Sequence, residues 1–279
     1  LIFIVLSILA NVGNAVLLKT GEIKQHNRLA VMTFNYLVAT ILAALIWGWN
    51  GLSGPGAATF GFGLIGGVFY AGTMFAWMVS MARTGITIST AVLRMALVWP
   101  VAVSIVFFRE IPNVFQALGI AASLTAIVLL TFGSRIKKQS VLNLRNAWLL
   151  ALFVVAGGTG STLKVFAELG PPGQREALLL VVFGFAGVLC LTSLWAGGQR
   201  PRISDMVGGG VLGLGNFVAN TFLLKGLEVV SGVVAFPALN SGILFLAAFL
   251  GIAVWKERPT RLEGGALVVS GLAIVLLSI

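Results

Sequence analysis

Ten continuous apolar runs of about 20 residues, each bounded by charge, Gly or Pro, leave this chain one natural solvent, the lipid bilayer. They fall near 1–19, 28–48, 58–82, 85–108, 112–133, 146–169, 174–196, 205–227, 229–254 and 259–279. Only 9% of the residues are charged and 58% are hydrophobic, whereas soluble domains carry about 25% charged residues to cover their surface. The runs lack the period-2 alternation of a lipid-facing strand, which favours helices over a barrel. The expectation is an all-α polytopic membrane protein with ten transmembrane helices and no sizeable extramembrane domain.

Other features remove function classes. Cys190 is the single cysteine and His26 the single histidine, so neither an intrachain disulfide nor a Cys/His metal set is expected. The net charge of +10 fits the Lys/Arg excess of cytoplasmic loops better than a nucleic-acid surface. The run starting at Leu1 has no basic leader or small-residue cleavage site and reads as a mature span rather than a signal peptide.

The longest polar connector, Ser134 to Asn146, falls after five runs with five to follow. A shift of 147 residues lays 107–130 over 254–277, pairing Glu110 with Glu257, Pro112 with Pro259, Ser123 with Ser270 and Ala126–Leu130 with Ala273–Leu277. It also pairs Gly13 with Gly160, Gly66 with Gly213, Phe75 with Phe222 and Gly85 with Gly232. Apolar helices match cheaply by composition; a basic–acidic–x–Pro element at a helix start does not. The division expected is a first repeat over 1–133, a basic connector over 134–145 and a second repeat over 146–279. Five spans per repeat oblige the halves to sit in opposite orientations, the inverted-repeat architecture of carriers with a midplane site.

Arg109-Glu110-Ile111-Pro112 recurring as Lys256-Glu257-Arg258-Pro259 before a Gly/Ala/Leu-rich closing helix, within a 5+5 arrangement, resembles the EamA-domain branch of the drug/metabolite transporter superfamily. The resemblance covers the whole chain and is specific at superfamily level only. It implies a cavity lined by spans 1, 3, 4, 6, 8 and 9, peripheral spans 5 and 10, and both termini in the cytoplasm. The loop charges disagree on topology. Connectors after odd-numbered spans carry 13 Lys/Arg and those after even-numbered spans carry Arg109, Arg175 and Lys225, which places the odd loops in the cytoplasm and both termini outside.

A charge deep in a span costs about 2.5–3.5 kcal/mol on insertion scales. Arg94, nine residues into its run, lies about 14 Å from the run's start and should face a cavity or a partner. Direct substrate contact and an anchor to helix carbonyls are both open. Lys164, five residues from a run's end, is expected either to snorkel to the interface or to pair with Glu168 at i+4. All eight carboxylates fall at run ends or in connectors. A proton-coupled exporter of cations generally needs a buried acid, as the superfamily's four-helix relatives carry in their first helix; Ser7, Asn11 and Asn14 stand in that helix here. Arg94 without a mid-depth carboxylate favours an anionic or zwitterionic substrate, bound bidentately.

The other polar residues fall on helical stripes: Ser7, Asn11 and Asn14; Tyr70, Thr73, Trp77 and Ser80; Thr87, Thr90 and Arg94; Asn216 and Asn220; and Asn240 with Ser241 beyond Pro237. The substrate-binding set expected is Arg94, Asn11, Asn14, Tyr70, Trp77, Lys164, Asn216, Asn220 and Asn240. Interhelical hydrogen bonding is the competing role for each Asn, Ser and Thr. Trp47, Trp49, Trp148, Trp195 and Trp255 read as an interfacial belt. Pro100 and Pro237 are expected to break helical ladders and serve as hinges. Gly61, Gly63, Gly66 and Gly67, with Gly208, Gly209, Gly210, Gly213 and Gly215, read as packing seams.

The function expected is a secondary active transporter of a small organic anion or zwitterion, an amino acid or related metabolite first, working without cofactor or metal in a prokaryotic inner membrane, in the export direction. A phosphate-ester or nucleotide-sugar exchanger is the alternative within the superfamily. A channel or lipid scramblase is the alternative of another class. No nucleotide-binding loop or catalytic constellation stands in the sequence, so an enzyme ranks last. Small-molecule substrate and lipid are the expected partners, nucleic acid is not, and a monomer suffices.

Overall fold

A computed structural model describes residues 1–23, 27–49, 54–133, 147–256 and 259–279. The basic connector 134–145, Glu257, Arg258, His26 and the side chain of Thr87 lie outside the described residues. The chain is all-helical, with no strand among the described residues: α1 (Ile2–Ile23), α2 (Arg28–Trp49), α3 (Ala57–Thr84), α4 (Ile86–Met95), α5 (Val98–Phe108), α6 (Val114–Gly133), α7 (Ala147–Leu169), α8 (Arg175–Ala196), α9 (Ile203–Leu227), α10 (Gly232–Trp255) and α11 (Arg261–Leu277). Helices form because a chain with this little polar surface must satisfy its backbone within each segment. Among the described residues, seven helical stretches are long and apolar enough to cross a membrane, and Ile2–Leu17 and Val114–Leu130 are shorter apolar helices. The exposed surface is itself apolar: Leu45, Phe60, Val68, Val106 and Val268 are all at least half or nearly half exposed. That is the surface of an integral membrane protein, whose solvent at mid-depth is hydrocarbon.

The run at 85–108 is two helices rather than one. Pro100 has no N–H to offer the Ala96 carbonyl, which accepts from Trp99 N–H at 3.1 Å instead, and Leu97 N–H reaches back to the Arg94 carbonyl at 3.2 Å. Both are three-residue steps, so the ladder tightens and α4 ends at Met95. Pro237 differs. It lies in the second turn of α10, which runs uninterrupted from Gly232 to Trp255. Gly85, at φ 86°, makes the corner between α3 and α4 that a side chain would strain.

At the centre α2 packs on α8 and α9, and α3 packs on α7 and α8. There the Tyr36 ring stacks on Phe183 at 6.2 Å and Tyr70 meets the same ring edge-on at 5.6 Å. Around this core α1 lies on α9 and α10, α5 lies on α7, and α6 pairs with α11. Close approach runs through glycines. A Cβ at Gly209 or Gly213 would drive into the Val31 or Asn35 carbonyl of α2, and one at Gly63 or Gly67 would drive into Val181 or Phe185 of α8. Gly61 instead faces open space. Gly213→Ala is therefore expected to lower stability by about 1–3 kcal/mol, since backbone must move apart. Gly61→Ala should be neutral or slightly stabilising. Thermal unfolding of the two purified variants in one detergent checks the contrast.

Candidate functional site

Because α9 touches both α1 and α2, its polar stripe becomes the meeting point of four helices. Asn216 Nδ2 donates to Asn35 Oδ1 at 3.3 Å, and Asn220 Nδ2 donates to the Asn216 side-chain and backbone oxygens, each at 2.8 Å. The Tyr70 hydroxyl donates to Asn220 Oδ1. Tyr36 donates to the Tyr70 carbonyl at 3.3 Å. On α1, Ser7 donates to the Ala219 carbonyl of α9 at 2.8 Å, and Asn11 Nδ2 to the Ser7 carbonyl at 2.9 Å. Tyr70, Asn216 and Asn220, which the sequence placed on two separate stripes, thus form one bonded chain, while Asn11 reaches only Ser7, which holds the neighbouring α9 backbone at Ala219. Asn35 and Tyr36 complete it and were not anticipated. An Asn deep inside an apolar run is the same signal that marked Asn216, and it stood at 35 in the run 28–48.

Asn14 lies against Gly215, where a Cβ would collide with its side-chain amide. Its Oδ1 is buried without a hydrogen-bond partner, and so is Trp77 Nε1. Asn240 donates to the Phe236 carbonyl of its own helix at 3.1 Å. Trp47, assigned to the interfacial belt, buries its Nε1 without a partner, whereas Trp49 and Trp195 are 91% and 86% exposed at helix ends.

Arg94 stands in the last turn of α4, just before the break, and is half-buried. No hydrogen bond or ion pair to its guanidinium is present among the described residues. A cation at a helix C-terminus gains from the carbonyl dipoles. Those carbonyls, though, are partly engaged: Ala96 N–H takes the Val92 oxygen and Leu97 N–H takes that of Arg94. All five guanidinium donors stay available to a ligand.

Of the two expectations for Lys164, the pair with Glu168 is the one seen. It does not snorkel: it is fully buried, and its ammonium donates to Glu168 and also to Glu110. The turn after α5 brings Glu110 beside it, and the Phe108 ring lies 5.3 Å from its nitrogen. Ion pairing replaces the interface as the way to satisfy this charge, and the Lys164 ammonium already holds two carboxylates. A groove of about 360 Å³ between α3, α5 and α7, lined by Phe62, Ile65, Phe69, Trp99 and Val154, is almost wholly apolar and carries no charged side chain, with Ser161 and Thr162 as its polar lining.

No protein-family model matches the sequence. An uncharacterized protein of Haemophilus influenzae is 26% identical over 196 residues, which is 69% of this chain and 66% of the length of that one. A solved crystal structure superimposes with a TM-score of 0.79 at 14% identity, covering 99% of this chain and 96% of the other. At that identity the likeness concerns the fold alone.

Proposed function

We propose that the chain is a secondary active transporter that binds the carboxylate or other anionic group of a small organic anion or zwitterion on Arg94. The observation that carries this reading is a half-buried guanidinium at the end of a broken helix, without a protein partner among the described residues. A charge at that depth is costly, and an incoming anion supplies the missing counter-charge through paired, charge-assisted hydrogen bonds. Discontinuous helices are also where carriers build their sites. The buried Trp77 donor and Asn14 acceptor, both without partners, suit a substrate that both accepts and donates, which favours an amino acid or related metabolite over a simple anion. Lys164, held by two carboxylates, is left out of the binding set.

Alternating access in this reading rests on two inverted five-span halves, with α4 and α5 counting as one span. A shift of 147 residues carries α2, 28–49, onto α8, 175–196. Arg109 and Lys256, also 147 apart, both end their helices in the left-handed region, at φ 54° and 53°, with N–H bonds to Ser104 and Gly251. Those four positions obey the same shift, which supports a duplication and with it membership of the EamA-like carriers. The softened ladder at 96–97 gives the first half a bending point beside Arg94, and α9 offers a polar wall. Export across a prokaryotic inner membrane is the assignment that goes with this family.

Counterflow in proteoliposomes tests the reading. Flux of a labelled amino acid that saturates and is stimulated by unlabelled substrate on the far side is expected. Stimulation by phosphate esters alone would shift the substrate class, and conductance that never saturates would replace the carrier with a channel.

A further inference from the structure

The ends of α5, α7 and α9 and the starts of α3, α8 and α10 gather at one end of the molecule. There Gln174, just before α8, accepts from Gly56 N–H and Thr59 at the start of α3, and Arg175 pairs with Glu228 at 3.0 Å. These contacts lie at the rim. Deeper, the Lys164 ammonium of α7 holds Glu110, just past the Arg109 cap of α5, and the other Glu110 oxygen accepts Val233 N–H of α10 at 3.2 Å. Glu110 therefore ties three helices that no covalent link holds at this point. Glu168 pairs with the same ammonium from within α7 itself, at i+4, and is more exposed, 35% against 16% for Glu110. It completes the charge without crossing a helix boundary.

The tie closes a seam. Gly232, the first residue of α10, lies so near α5 and α7 that a Cβ there would run into Ser104 Oγ and come within 3.0 Å of the Lys164 stem. Ser104 is fully buried behind this contact, and its hydroxyl has no partner. We propose that Glu110, Lys164 and the amino end of α10 form an ionic latch holding this end of the molecule shut. Read with the transport function proposed above, it is the gate of that end.

The sequence does not repeat this triad. At the repeat-equivalent positions 147 residues earlier, Leu17 stands for Lys164 and Gly21 for Glu168. The sequence places no ammonium at that position to hold a carboxylate. Opening this end must break the ion pair, so the latch biases the resting protein toward the arrangement seen here.

Ser104→Cys is the reporter, labelled with a membrane-impermeant maleimide and read by mass spectrometry on the full chain in proteoliposomes. Native Cys190, fully buried in the core, reports global unfolding, and Val229→Cys, at a position 66% exposed at the same end, sets the open rate. With the latch intact, the thiol introduced at position 104 should label far more slowly than the one at position 229. Adding Glu110→Gln should speed labelling at 104 by about tenfold or more while Cys190 stays protected, and Lys164→Gln should do the same as a second variant. Glu168→Gln should change it less than about twofold. The latch is overturned if position 104 already labels as fast as position 229, if neither variant speeds it, or if labelling at 104 and at Cys190 rises together. Labelling does not depend on any substrate, so a carrier reading that fails in counterflow leaves this result standing or falling by itself.

Discussion

Replacing Arg94 with Gln is expected to cut substrate affinity and counterflow by about a hundredfold or more, while the substrate-free protein unfolds at the same temperature or a higher one. The opposite signs follow from the charge having no partner in the fold among the described residues. In the free protein Arg94 brings a desolvation cost without an ion pair to offset it, so its removal relieves rather than harms. In the complex two charge-assisted hydrogen bonds are lost, each worth about 1.5–3 kcal/mol, and about 1.4 kcal/mol is a factor of ten. Arg94→Lys should fall between, because a point charge keeps the attraction and loses the planar fork. If Arg94 instead anchored α4 through helix carbonyls, Gln would lower the unfolding temperature and leave affinity nearly unchanged. Thermal shifts with and without a saturating amino acid, on both variants, separate the two roles in one experiment.

Helix existence was legible because the bilayer leaves the backbone no alternative. The run 28–48 is α2 at Arg28–Trp49, and the run 174–196 is α8 at Arg175–Ala196. The break at 96–97 was only half legible. Pro100 and Pro237 carry the same missing N–H, but Pro100 has a ten-residue helix before it and Pro237 only five residues, Gly232–Phe236, so the geometric consequence differs. Hydropathy does not register that difference. The candidate site was readable as stripes and not as a network: spacing put Asn216 and Asn220 on one face, and only tertiary packing could place Tyr70 and Asn35 against them. Lys164 was half legible for the same reason. Its i+4 pair with Glu168 could be read from spacing, whereas Glu110 is 54 residues away, at the end of an apolar run, and no local pattern signals a carboxylate brought inward by another helix pair.

Lys164→Met carries the largest stability effect expected, a loss of about 3–5 kcal/mol. Methionine fills much the same space as the lysine stem, so packing changes little. What remains is Glu110, largely buried, and Glu168 facing each other with no counter-charge between them. Each carboxylate has lost its cation, and like charges at this spacing repel. The triple variant Lys164→Met, Glu110→Gln, Glu168→Gln removes all three charges and should recover most of the loss, because a neutral group in that space needs far less solvation than a stranded ion. Recovery should be incomplete. Glu110 also accepts Val233 N–H, and a Gln oxygen replaces a charge-assisted bond with a neutral one, about half as strong. Unfolding of the three proteins in mild detergent, at low and high salt, checks the reasoning. A single-variant loss under about 1 kcal/mol that vanishes with salt would be the behaviour of an exposed pair, at odds with a lysine that the fold buries completely.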